Sequence, residues 1–135
     1  MAIQYSSAVR DAQLDAWETA IGTSAILKLR TGAKPANCAA ADSGTVVSTI
    51  NLPSDWMAAA SGGSKSKSGT WQDTTADAAG TVGHYRIYAS NGTTCHEQGT
   101  VTATGGGGDM TVDNTVVEAG QQITVTSYAK TAGNA

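Results

Sequence analysis

Apolar and polar residues alternate along much of the chain. The clearest stretch runs from Gly80 to Ala103, where two β-rich runs flank Asn91-Gly92. Asn-Gly tolerates positive φ at both positions and is the strongest short-range hairpin signal. Two registers are open to this hairpin. A two-residue turn sets Ser90 against Thr93 and Arg86 against Glu97, an ion pair worth at most about 1 kcal/mol. A three-residue turn with a bulge sets Ser90 against Thr94. It places Tyr85, Ile87 and Ala89 on one face with Cys95, Gly99 and Val101, and leaves Glu97 on that face near its solvent end. Burying one apolar side chain is worth roughly 1.5–3 kcal/mol, which favours the bulged register.

The remaining pattern yields one helix and several short strands. From Ser6 to Ile21 the apolar residues fall on a broad arc of a helical wheel, with Leu14, Trp17 and Ile21 its largest members. Asp11, Asp15 and Glu18 lie opposite and read as a solvated stripe. Ser6 or Ser7 suits the cap, and Gly22 suits the position after the end. Strands are predicted over 24–30, with Ala25, Leu27 and Leu29 on one face, and over 45–52, with Val46, Ile50 and Leu52 inward. Residues 31–44 read as a loop broken by Pro35 and glycines. After Pro53 a short helical turn is expected over 54–60, then a flexible loop over 61–69. A short strand around Trp71, the hairpin, a four-glycine link at 105–108, an alternating run at 110–112, Val116 and Val117 leading to Ala119-Gly120, and a last strand over 121–128 complete the series. The pattern predicts a mainly β chain: an antiparallel β-sandwich or jelly-roll-like single domain with an N-terminal α-helix. Residues 1–22 form the helical segment and residues 23–135 the β-sandwich domain. The tail after Tyr128 is expected to be ordered only where it lies on something.

Composition narrows the function. The chain has 135 residues, long enough for a real core, and no Phe, so the core falls to Val, Ile, Leu, Ala and three Trp. A net charge of −3, with 14% charged residues, argues against non-specific nucleic-acid binding. The one local basic cluster, Lys65 and Lys67, sits in a Gly/Ser loop and reads as solubilising. No apolar run approaches a membrane span, and residues 1–9 lack the features of a signal peptide. The chain is therefore expected to be made in a cytoplasm, with Cys38 and Cys95 starting as thiols. Those two read first as small buried residues, and a disulfide between them is the lesser alternative.

The sequence offers little reactive chemistry. Cys95-His96 are neighbours on a strand and point to opposite faces, a poor nucleophile-base pair. His84 and His96 lack a third ligand with zinc spacing. The glycines at 105–108 are not followed by the Lys-Ser/Thr of a phosphate loop, and Asp109, Asp113 and Glu118 do not have calcium-loop spacing. Trp71, Tyr88 and Tyr128 would line a sugar-binding face if exposed together, but read first as packing. No residue is assigned to catalysis, to a cofactor or to a metal. The apolar arc of the helix, with Trp17, Leu14 and Ile21, either covers the sheet or meets a partner chain, and supplies the candidate partner contacts.

Five stretches resemble a family of small structural proteins from tailed bacteriophages: AIQYSSAVRDAQLDAWETAIG, LKLRTGAKPANCAAADSGT, LPSDWMAAASGGSKSKSGTWQDTTADAAGT, GHYRIYASNGTTCHEQGTV and GQQITVTSYAKTAGNA. Together they cover nearly the whole chain. The resemblance implies a non-enzymatic virion protein made in the host bacterial cytoplasm. It would bind the major capsid protein or other virion proteins and self-associate, without nucleic acid or membrane. A decoration or cement protein on the capsid exterior is the first expectation. A tail fibre or baseplate component with a carbohydrate-binding surface is the second.

Overall fold

The computed structural model describes residues 3–135, so positions 1 and 2 of the N-terminal segment lie outside the described residues. Helix α1 spans Ser7–Ile21. The Ser6 hydroxyl accepts from the Val9 N–H at 3.3 Å and caps its start. Gly22, at φ +99°, ends it and donates its N–H to the Glu18 carbonyl. Leu14 and Ile21 are buried and Trp17 is half-buried, its ring 5.3 Å from that of Trp56 and 6.4 Å from that of Tyr128. The acidic side is not simply solvated. Asp15 and Glu18 hold the ammonium of Lys65 at 2.7 and 2.8 Å, and Asp11 accepts the Gly63 N–H. Lys65 is thus a buried anchor for the helix and not a solubilising charge. Its burial opposes the charged form, but the two carboxylates outweigh that and raise its pKa.

Nine strands form one curled mixed sheet. They are β1 (Ile26–Thr31), β2 (Val46–Asn51), β3 (Ser64–Ser66), β4 (Gln72–Asp73), β5 (Gly80–Tyr88), β6 (Cys95–Ala103), β7 (Met110–Val112), β8 (Val116–Val117) and β9 (Ile123–Thr131). The order is β2-β1-β5-β6-β7-β9-β3, with β4 also on β9 and β8 on β5. The result is a mainly β, sandwich-like single domain with one N-terminal helix. Its pairs are antiparallel except β6 with β7, which run parallel. Only residues 104–109 join those two strands, and the glycines explain how. A Cβ on Gly106 would lie 2.7 Å from the Thr102 side chain, and one on Gly108 would lie 2.9 Å from the Thr102 backbone nitrogen. The link lies flat on the strand it leaves, which side chains at those positions would prevent.

Other elements depart from expectation. Residues 54–60 form no helix. Met57 bridges to Lys67 and Ala58 N–H donates to the Ser66 carbonyl, which sinks Trp56 and Met57 into the core. The expected flexible loop at 61–69 contains β3, whose partner is the end of β9. On β2, Val47 and Ile50 are the buried pair and Val46 is half-buried. A bulge opposite Leu29 and Arg30 shifts the alternation there.

The β5–β6 hairpin keeps the preferred register over most of its length, with Tyr85 opposite Gly99 and Ile87 opposite Glu97. The bulge lies farther from the turn than expected, between Ile87 and Tyr88. Tyr88 therefore faces Cys95, and the Ala89 N–H pairs with the Thr94 carbonyl. The Asn91 side chain accepts the N–H groups of Thr93 and Thr94, which stabilises this wider loop, and Gly92 takes φ +71°. Cys95 accordingly leaves the face of Tyr85 and Ile87. The tail does lie on something: the Tyr5 N–H donates to the Asn134 carbonyl at 2.6 Å, which ties the two ends of the chain together.

Candidate functional site

The sheet around β5 is buried on both faces. On one face Leu27, Leu29, Tyr85 and Ile87 join the apolar core. The other face carries Lys28 and Arg30 from β1, His84, Arg86 and Tyr88 from β5, and Gln98 from β6, as the strand pairing requires. Residues 32–44 cross this polar face as a strap. Arg86 donates to Asp42 Oδ1 at 2.8 Å, to the carbonyls of Asn37 and Ala40 at 3.0 and 3.1 Å, and to Gln98 Oε1. Arg30 donates to Asp42 Oδ2 and to the Tyr88 hydroxyl, and Tyr88 donates to Asp42 Oδ1 at 2.7 Å. Gln98 Nε2 donates to the Pro35 carbonyl and His84 Nδ1 to that of Gly32.

These contacts set the ionisation of the strap face. Burial works against the Asp42 carboxylate, but the Tyr88 hydroxyl and the two guanidiniums outweigh it and hold its carboxyl below the ordinary value. Burial, with the Asp42 hydrogen bond, pushes the Tyr88 hydroxyl up to about 12. His84 is fully buried, and that burial, with help from the Arg30 and Arg86 charges, lowers its pKa against the Gly32 hydrogen bond. It is therefore neutral, and its Nε2 has no protein partner. At the edge of the strap the Cys38 and Cys95 sulfurs lie 2.7 Å apart as free thiols. Burial, followed by the neighbouring Cys38, raises the pKa of Cys95.

A second polar cluster gathers on Glu97. It accepts the hydroxyls of Tyr85 and Tyr128 and the ammonium of Lys130, which lies 2.6 Å away and 5.2 Å from the Trp17 ring centre. Burial raises both tyrosine hydroxyls, so they remain donors. A cavity of about 290 Å³ opens beside the cluster, and a shallower one of about 540 Å³ adjoins it over Ser66, Lys67 and Thr126. With three donors on it, Glu97 binds β5, β6, β9 and the helix together and is not a free base.

The remaining sequence candidates disperse. Leu14, Ile21 and most of Trp17 are spent on the chain's own core, so a partner does not reach Leu14 or Ile21 in this fold. Trp71, Tyr88 and Tyr128 are buried, not a platform. His96 is exposed beside the hairpin bulge while His84 is fully buried. Among the described residues the large apolar side chains left exposed are Ile3, Tyr5, Val9 and Val116, and three of these lie within seven positions of the N-terminal segment. Among the described residues, too, no cluster of three or more His, Cys, Asp or Glu is placed to hold a metal, and no helix is long and apolar enough to cross a membrane. Comparison with protein-family models, curated proteins and solved structures returns no match.

Proposed function

We propose that the chain is a non-enzymatic structural protein of a tailed-phage particle, a decoration protein that seats on the outside of the capsid shell. The carrying observation is the exposure of Ile3, Tyr5 and Val9, three apolar residues within seven positions of one another. Ile3 and Tyr5 precede α1 where the Tyr5 N–H is bonded to the C-terminal tail, and Val9 stands on the first turn of α1, which is fastened to β3 through Lys65. Large apolar side chains left exposed this close together in sequence suit a protein interface. Here they stand on a domain stiffened by ion pairs whose cations, Lys65, Arg30 and Arg86, are buried, which suits a clamp between shell subunits. The family resemblance of the sequence points the same way. Self-association through a symmetric contact accompanies this role. The tail alternative loses its proposed sugar platform, because the three rings it needs lie in the interior.

Cosedimentation with purified heads and purified tails tests the reading. The chain is expected to bind heads saturably and tails not at all. Changing Ile3, Tyr5 and Val9 together to Ser is expected to weaken head binding at least about tenfold, with the thermal midpoint unchanged. Undiminished head binding by that variant would remove the N-terminal segment from the interface. Failure of the native chain to bind heads would end the proposal.

A further inference from the structure

We propose that Cys38 and Cys95 form an intramolecular disulfide that fastens the 32–44 strap to β6. The pairing follows from where the fold puts them. Cys95 lies opposite Tyr88, on the strap face, because of the hairpin bulge. Cys38 lies one residue beyond Asn37 and two before Ala40, whose carbonyls both accept from Arg86. Arg86 and Gln98 therefore hold the strap where its one thiol meets that of β6, 57 positions away in the chain. Neither cysteine is deeply enclosed, so a small disulfide reaches the pair.

The oxidant is a small-molecule disulfide such as oxidised glutathione. Burial keeps Cys95 protonated, so Cys38 reacts first. It loses its proton, its sulfur attacks one sulfur of the reagent, that S–S bond breaks and one thiolate leaves. Cys95 then loses its proton and attacks the Cys38 sulfur of the mixed disulfide, and the second thiolate leaves. The two departing thiolates take up the two protons that the cysteines lost, the protein is oxidised by two electrons, and the reagent is reduced to two thiols. The product closes the strap covalently over Arg30, His84 and Arg86, where hydrogen bonds and the ion pairs of Asp42 held it before. It also constrains the unfolded chain.

The test treats the native chain with oxidised glutathione and follows thiol titre, intact mass, tryptic peptides and amide exchange. Both thiols are expected to disappear with the mass of two hydrogens and with no retained glutathione. Trypsin, blocked after Lys34 by Pro35, is expected to release residues 31–65 joined to residues 87–130. The thermal midpoint is expected to rise by about 5–15 °C, and the strap amides to exchange more slowly. Cys95→Ser is expected to stop at a stable mixed disulfide on Cys38, Cys38→Ser to react far more slowly, and neither to show the rise. Retained glutathione on the native chain, cross-linked dimers, or two thiols surviving treatment would overturn the pairing. A cross-link that left strap exchange unchanged would overturn its role as a fastening.

Discussion

The two faces of the sheet around β5 are buried to a similar depth by opposite means. The core face is closed by Leu27, Leu29, Tyr85 and Ile87 packing against apolar neighbours, an arrangement that tolerates some imprecision. The strap face is closed by Arg30, His84, Arg86 and Tyr88 bonding to backbone carbonyls and one carboxylate. There each donor needs its acceptor, since a buried polar group without a partner costs about 1–3 kcal/mol. The comparison teaches that a strand can be covered on both sides while showing apolar residues on only one.

The largest effect is expected on the core face. Ile87→Ala removes a fully buried side chain and leaves a cavity, and is expected to lower unfolding free energy by about 3–4 kcal/mol in urea titration. The polar face should yield less. Arg86→Met strands the carbonyls of Asn37 and Ala40 and half the charge balance of Asp42, at about 2–3 kcal/mol. The figure is discounted because Asp42 is partly open to solvent, where screening weakens its pairs. The two variants separate further by hydrogen exchange: Arg86→Met should loosen amides of residues 32–44 and leave β7 protected, whereas Ile87→Ala should weaken both.

The smallest effect is a pH dependence confined to the strap face. The folded-state pKa of His84 lies below its ordinary 6.5, so the unfolded chain binds a proton that the folded chain refuses. Its contribution is complete above pH 6.5 and is lost as pH falls below it, by at most about 1.4 kcal/mol per pH unit. Asp42, also lowered, adds a second loss only below its ordinary 3.8. Thermal midpoints measured from pH 7.5 to 5 should therefore fall, and His84→Asn, which keeps a donor for the Gly32 carbonyl, should flatten that fall.

The same contrast explains what the sequence made legible. α1, its Ser6 cap and its Gly22 end follow from local rules, as do β1 and most of the hairpin register, because period and turn chemistry are written in neighbouring residues. The strap did not follow. Thr31 to Gly44 has the composition of any surface loop, and its partners, Arg86 and Gln98, lie more than forty positions away. Lys65 and Glu97 differ from expectation for the same reason: a charge in a loop or at a strand end reads as solvated until the fold brings its partner from another element. Arg86, set between Tyr85 and Ile87, was the one local hint that the second face of β5 is covered too. β3 is not legible locally because Ser-Lys-Ser has no pattern of its own, and only the end of β9 makes it a strand.

The proposed role on the capsid meets its most direct test in gold labelling of intact particles with an antibody against this chain, viewed by electron microscopy. Gold is expected over the heads, spread across the shell. Gold confined to tails, or particles left unlabelled when an antibody against the unfolded chain also finds nothing in disrupted particles, would contradict it.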